Sequence, residues 1–302
     1  MAKPCVFCGD DSTRLTAEHV FADWITDFYT KRMGKPPTGI VEMGVPSGQV
    51  RQFRAIPFQQ TVKIVCATCN NGWMGSLEAR IKPYLSKMLV GRDIRLRANA
   101  QRDLARWCVK TVMVMERFNP SDPLVPKAHY RDFYQTEAAL PNNFIVISSR
   151  GIPRREEKGL SLMQTFRDRV IFAKVATSRA GDERQRAQDW FSQQARDGRV
   201  AYKVTFAVGN FVAQVFGHDL PGPIGIAGQA PAICIWPDVR NRVDWSVDKY
   251  SVDQLGGLLP FHRMFAAPPP GATVPPDYFT RTAPFQLNTA DLLPPSDGKP
   301  RP

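Results

Sequence analysis

The sequence predicts an α+β protein: a small zinc-stabilised N-terminal module, a helical segment, a C-terminal domain of mixed strands and helices, and a proline-rich tail. Three observations lead to this prediction. Two Cys-x-x-Cys pairs enclose several strand-like segments, a strongly amphipathic helical pattern follows them, and alternating apolar segments dominate the rest of the chain. We expect the domains to cover residues 1–90 and 91–265, with the tail at 266–302.

Composition supports a folded chain. Of the 302 residues, 43% are apolar and 23% are charged, which is enough apolar material for an extensive core. Apolar runs stay well short of the roughly 18 residues that a membrane helix needs. We therefore expect a cytoplasmic protein with no membrane partner, in which cysteines are metal ligands or buried thiols more often than disulfides.

The net charge is unevenly distributed. It totals +12, of which +4 falls in residues 1–90 and +8 in residues 91–200, while residues 201–302 are neutral. A basic balance favours polyanionic partners such as nucleic acid, although charge alone is weak support.

The first ninety residues combine strands with one helix. A Pro-Ser-Gly turn and β-branched residues predict strands at Ile40–Met43, Gln49–Ile56 and Thr61–Val65. Apolar residues at spacings of three and four then predict a helix from Asn70 to about Leu89. Pro83 lies within this span, and we expect it to end or kink the helix.

The strongest helical pattern runs from Asn99 to Phe118, and a second helix is expected over His129–Leu140. Basic residues line one side of the first helix and the segment before it. They are candidate phosphate contacts, and the alternative is a solvated helix face: Arg92, Arg95, Arg97, Arg102, Arg106 and Lys110.

The C-terminal region alternates between apolar and polar residues as strands do. A Gly209–Asn210 hairpin turn and a helix over Asp182–Arg196 are expected among strands at Phe144–Ser148, Val170–Thr177, Val200–Val208, Phe211–Phe216 and Ala232–Trp236. Residues 267–302 hold ten prolines, so this tail is expected to be extended or disordered.

The two Cys-x-x-Cys pairs are the most informative feature of the sequence. Each pair turns two thiolates toward one ion, and two pairs complete a tetrahedral sulfur shell that suits zinc, here from Cys5, Cys8, Cys66 and Cys69. Four protein thiolates leave no open coordination position, so the predicted zinc is structural. Two redox motifs or unrelated thiols are the alternative, and the remaining cysteines, Cys108 and Cys234, are expected to be core thiols.

These pairs, together with Glu18-His19 between them and Asn70 after them, resemble the His-Asn-His (HNH, ββα-metal) endonuclease family. The likeness is to the subgroup with two Cys-x-x-Cys zinc knuckles and covers about residues 5–80. It implies a ββα-metal module that hydrolyses phosphodiester bonds, with DNA preferred over RNA as the substrate, since DNA is the family's usual one. The family is common in bacteria and their phages.

The resemblance also implies roles for individual residues. His19 would be the general base that activates a water, a task suited to an imidazole near neutral pH. Glu18 and Asn70 would bind a catalytic Mg²⁺ or Mn²⁺ ion through oxygen atoms. Residues 91–265 would position the substrate or a protein partner.

The sequence departs from the family pattern at three positions: Ala22, Thr61 and Trp73 stand where a proline, an asparagine and a lysine are usual. Two alternatives therefore remain. The first is a non-catalytic zinc-knuckle protein that binds nucleic acid or protein. The second is an activity in residues 142–265, to which the knuckles are an accessory.

Overall fold

The computed structural model is a mixed α+β structure, as the sequence predicts. It describes residues 3–37, 39–44, 50–117, 124–136, 140–141, 143–151, 155–156, 159–160, 163–169, 189–190, 192–194, 196–220, 233–245 and 249–250. The predicted tail at 266–302 lies outside these residues, as do the predicted strand Val170–Thr177 and the turn at 46–48.

The N-terminal module is built on two antiparallel strands. Strand β1 (Leu15–His19) pairs with β4 (Thr61–Cys66), and the register places His19 opposite Thr61. The insertion between them holds helix α1 (Trp24–Met33) and the hairpin of β2 (Gly39–Gly44) and β3 (Val50–Ala55). The three strands predicted before residue 66 are therefore confirmed.

A helix follows β4 directly. It begins with the single turn α2 (Ala67–Cys69), becomes irregular at Asn70–Met74, and continues as the regular helix α3 (Gly75–Met88). Pro83 does not end the helix, because α3 continues beyond it to Met88, and a kink at Pro83 stays a prediction. Pro83 lies on the exposed side, where water can bond the freed carbonyl, while the opposite side of α3 is buried in the core.

The C-terminal part contains a six-stranded sheet. Its strands are ordered β12-β6-β11-β10-β9, with β14 parallel to the edge of β6, and their bounds are β6 (Phe144–Gly151), β9 (Met163–Arg169), β10 (Ala201–Val208), β11 (Phe211–His218), β12 (Ile233–Trp236) and β14 (Lys249–Tyr250). Four of the predicted strands correspond to β6, β10, β11 and β12. Gly209 and Asn210 form the predicted hairpin turn, where Gly209 has a positive φ of 55°.

Two further pairs of short strands do not belong to this sheet. Strand β5 (Ile94–Arg97) pairs with β13 (Arg242–Trp245), and β7 (Arg155–Glu156) pairs with β8 (Gly159–Leu160). None of these strands was predicted, and neither were β9 and β14 of the large sheet. The described residues at the end of the predicted helix Asp182–Arg196 are helical.

Helix α4 (Ala98–Glu116) is the central element of the molecule and corresponds to the predicted helix at Asn99–Phe118. It packs against α3, β5, β6, β11 and β12, so it is covered on several sides. Helix α5 (Lys127–Gln135) corresponds to the predicted helix at His129–Leu140, but it ends at Gln135.

One continuous apolar core joins the two predicted domains. The ring of Phe21 lies 5.8 Å from that of Phe206 in β10, and Phe206 lies 5.9 Å from Trp107 in α4. In the described residues, the boundary predicted near residue 90 therefore does not separate two cores. The described helices include none that is both long and apolar enough to cross a membrane.

Candidate metal centre and catalytic site

The four predicted cysteine ligands meet at one point. The Sγ atoms of Cys5, Cys8, Cys66 and Cys69 all lie within 4.8 Å of one another, and those of Cys8 and Cys66 are 3.6 Å apart. Zinc–sulfur bonds of about 2.3 Å in a tetrahedron place the sulfurs about 3.8 Å apart. The cluster therefore fits a tetrahedral ion such as zinc, as predicted.

Backbone hydrogen bonds shape the first knuckle. The Cys5 carbonyl accepts a bond from the Gly9 N–H at 2.9 Å, and the turn closes because Gly9 adopts a φ of +80°. The Val6 N–H donates to the Ile64 carbonyl at 3.0 Å, which attaches the knuckle to β4. The second knuckle begins at Cys66, the last residue of β4, so the strand and the following helix deliver its two thiols.

The thiols share protons unequally. A hydrogen bond from Cys69 lowers the pKa of Cys5 to about 4, and the same contact raises the pKa of Cys69. A cluster that holds one thiolate in this way provides a ligand for a cation. The remaining cysteines behave as core thiols, since Cys108 is fully buried and Cys234 is partly buried.

His19 lies at the end of β1 on the solvent side. Its side chain is 33% exposed, and its Nε2 is 3.5 Å from Oδ1 of Asp23, which is more exposed. Neighbouring residues in a strand point to opposite faces, so His19 faces outward while Glu18 faces the core. The imidazole is therefore accessible to water and to a substrate.

Glu18 lies in a buried ion cluster. Its Oε1 is 2.6 Å from Nζ of Lys110, and that same Nζ is 2.8 Å from Oε1 of Glu78. Lys110 is fully buried, and the Glu18 side chain is 5% exposed. Burial raises the pKa of Glu18, and the Lys110 charge opposes this effect.

This arrangement does not fit the predicted role of Glu18 as a ligand of a catalytic ion. An ammonium group already supplies the positive charge beside the carboxylate, and a divalent cation would have to displace it. In this structure the Glu18 carboxylate joins β1 to α4 instead.

Asn70 is brought to β1 although 51 residues separate it from His19 in the sequence. Its Nδ2 donates to Thr16 Oγ1 at 3.0 Å and to the Ala17 carbonyl at 3.2 Å. The folding of the module thus places Asn70, Glu18 and His19 around one strand, but Glu18 points away from the outward face that carries His19.

The predicted phosphate contacts divide into two groups. Arg92, Arg95, Arg97 and Arg102 are exposed, which is compatible with a role at the surface. The prediction is wrong for Arg106 and Lys110, which are buried. Arg106 lies over the Phe133 ring and donates to the Thr136 carbonyl, and Lys110 binds two carboxylates, because α4 is covered on the side expected to face solvent.

Two of the three departures from the family pattern have a clear place in the packing. Trp73 lies against Phe7 and Phe133, with ring centroids 5.4 Å and 5.6 Å away, and Ala22 is completely buried. Thr61 lies opposite His19 and is exposed.

The sequence reasoning missed Asp23 and Glu78. Asp23 lies four residues after His19, and this spacing could have indicated that its carboxylate would lie near the imidazole. Nothing in the sequence indicated that Glu78 would meet Lys110. His129 and His218 are buried, as expected of structural residues, and His262 lies outside the described residues.

Comparison of the chain with protein-family models, with curated proteins and with solved structures finds no match.

Proposed function

We propose that the N-terminal module is a metal-dependent endonuclease of the HNH type, which hydrolyses phosphodiester bonds with His19 as the general base. The observation that carries the proposal is the placement of His19. It is a solvent-accessible imidazole at the end of β1, on a strand pair that leads into a helix and is closed at its base by four thiols. The ββα order and the two knuckles are the features that the resemblance requires.

The chemistry assigned to this chain is proton transfer. A neutral imidazole removes a proton from water as the water oxygen attacks phosphorus, the bond between phosphorus and the leaving sugar oxygen breaks, and that oxygen takes up a proton from solvent. The Asp23 carboxylate at 3.5 Å stabilises the imidazolium that forms. The resemblance also implies Mg²⁺ or Mn²⁺, and Asn70 is the predicted ligand that remains near β1 without a buried countercharge. No step is assigned to an ion at Glu18.

The test is cleavage of supercoiled plasmid DNA, and of RNA, by the purified full chain with Mg²⁺ or Mn²⁺. We expect DNA nicking that His19→Ala slows by about 100-fold or more, the usual contribution of a general base. Equal zinc content and an equal melting temperature for the two proteins show that the fold is intact. Asp27→Asn, on the exposed face of α1, serves as the control and should cleave normally. Wild-type protein that cuts neither substrate contradicts the proposal.

A second candidate is a non-catalytic zinc-knuckle protein that binds nucleic acid or protein. It is favoured by the ion pair of Glu18 with Lys110, which gives a predicted catalytic carboxylate a structural role. Under this alternative His19→Ala changes neither cleavage nor binding, whereas Cys66→Ser unfolds the module. A protein partner for the C-terminal part stays a prediction.

A further inference from the structure

The two-stranded pair of β5 and β13, called the ribbon below, separates its residues cleanly by face. Leu96, Val243 and Trp245 are buried in the core. The residues between them are exposed: Arg95, Arg97 and Arg242 are basic, and Asp244 is acidic. The outer face of the ribbon therefore carries excess positive charge.

The strand register places the unbalanced positive charge at one pair of residues. Arg95 lies opposite Asp244 and forms an ion pair with it at 3.1 Å. Arg97 lies opposite Arg242, and neither has an acidic partner among the residues that the structure describes. Like charges directly opposite each other destabilise a strand pair, and an anion bound between the two guanidinium groups would offset this repulsion.

A cleft continues from the ribbon to the end of α3. Its volume is about 660 Å³, and its lining includes Tyr84 and Lys87 of α3 together with Arg95 and Asp244 of the ribbon. The exposed Arg92 lies in the segment between α3 and β5. The cleft also contains Asp93, so its lining holds two acidic and two basic side chains and is balanced in charge. The excess positive charge therefore lies beside the cleft, at Arg97 and Arg242 of the ribbon and at Arg92.

We propose that the ribbon binds the phosphate backbone of double-stranded DNA, with one phosphate held between Arg97 and Arg242. The proposal rests on the nuclease function above, because it assigns that enzyme its substrate-positioning surface. Helix α3 begins a few residues after Asn70 and rises about 18 Å between Gly75 and Lys87, which lines the cleft together with Arg95. This length corresponds to about five nucleotides of one strand at about 3.4 Å each, so a duplex that runs along α3 would span the distance from the Asn70 end of the helix to the cleft.

The test measures binding separately from cleavage. Fluorescence anisotropy of a 20-base-pair duplex is recorded with His19→Ala protein in the absence of added Mg²⁺, with and without Arg97→Ala and Arg242→Ala together. We expect the double change to weaken binding at least tenfold and to reduce the slope of log affinity against log salt by about one, because one phosphate contact is lost. Its melting temperature should not fall, because a like-charge pair is removed.

The matched control is Arg32→Ala with Arg196→Ala, which removes two exposed charges elsewhere. An equal loss of affinity in both double variants overturns the proposal, since net charge alone would then explain binding. Tighter binding of RNA or single-stranded DNA than of the duplex overturns the assignment of the partner. A ribbon variant that loses affinity supports the ribbon even when wild-type protein does not cleave, so the two proposals fail separately.

Discussion

Lys110 Nζ lies 2.6 Å from Glu18 Oε1, and this contact joins the middle of the central helix to the strand that carries His19. Both side chains are buried, and Glu78 of α3 completes the cluster from a second side. The three residues connect β1, α3 and α4. The position of the candidate catalytic strand thus depends on residues outside the first ninety.

Lys110→Met is expected to lower the free energy of unfolding by about 3 kcal/mol, because it leaves buried carboxylates without a cation. Urea denaturation at pH 7 measures the loss. The matched control is Arg80→Met, which breaks the 3.0 Å pair with Asp103 between the same two helices. Arg80 is 52% exposed, so this change should cost less than about 1 kcal/mol. Equal losses would show that burial does not govern the Lys110 contacts.

The deficit of Lys110→Met should shrink on acidification. Burial raises the pKa of Glu18, and a protonated carboxyl group no longer needs a countercharge. A group with a raised folded-state pKa favours the folded state at low pH and loses that contribution as pH rises through the folded pKa. Unfolding at pH 5 and pH 7 tests this, and a larger deficit at pH 5 contradicts it.

Two buried histidines predict acid sensitivity. Burial lowers the pKa values of His129 and His218 from 6.5 to about 4, so both are neutral in the fold. The unfolded chain binds their protons more tightly, and the stability they contribute is present above pH 6.5 and lost as pH falls toward 4. The loss is on the order of 3 kcal/mol for each imidazole.

Urea denaturation between pH 7.5 and pH 5 measures this effect, and His218→Leu is expected to reduce the slope of stability against pH. The groups nearest the histidines include Tyr202, whose Oη is 3.0 Å from His129 Nδ1 and whose own pKa is raised by burial. Tyr202 therefore stays neutral throughout this range. An unchanged slope in His218→Leu would assign the acid sensitivity to other groups.

Gly209 is expected to tolerate no side chain. It has a φ of +55°, and an added Cβ would lie 2.1 Å from Tyr29 Oη and 2.4 Å from the Leu89 carbonyl oxygen. Gly209→Ala should therefore lower the free energy of unfolding by clearly more than the roughly 1 kcal/mol expected from backbone strain alone, and thermal denaturation measures the loss. Gly198→Ala is the control, since its φ is +70° and the space around it is open. Equal effects would contradict the packing of the hairpin turn against α1.

Removal of zinc is expected to unfold the N-terminal module. Purified protein should contain one zinc ion per chain. Chelation or Cys66→Ser should remove this zinc and eliminate the cooperative thermal transition, because structural zinc supplies folding free energy to small modules. Cys234→Ser, outside the cluster, should retain one zinc per chain. Wild-type protein that folds without zinc would contradict a structural zinc site at the four thiols.

The sequence by itself determined the local features whose cause is local. The spacing within each Cys-x-x-Cys pair was sufficient to predict that the four thiols meet, because such a pair turns two thiols toward one point. Apolar periodicity was sufficient for α4 and for four strands of the large sheet, and the turn residues Gly209 and Asn210 were sufficient for the hairpin. These patterns show which side of a segment must be buried and where the chain must turn, and they predicted the α+β class correctly.

Only the tertiary structure decided which charged residues lie inside. Arg106 and Lys110 repeat along α4 as a solvated stripe would, yet α3, α5 and the strands around α4 cover them. The partner of Glu18 lies 92 residues away, and Arg242 meets Arg97 across 145 residues. A local pattern identifies one face of a segment, but the energy of a buried charge depends on which distant group reaches it.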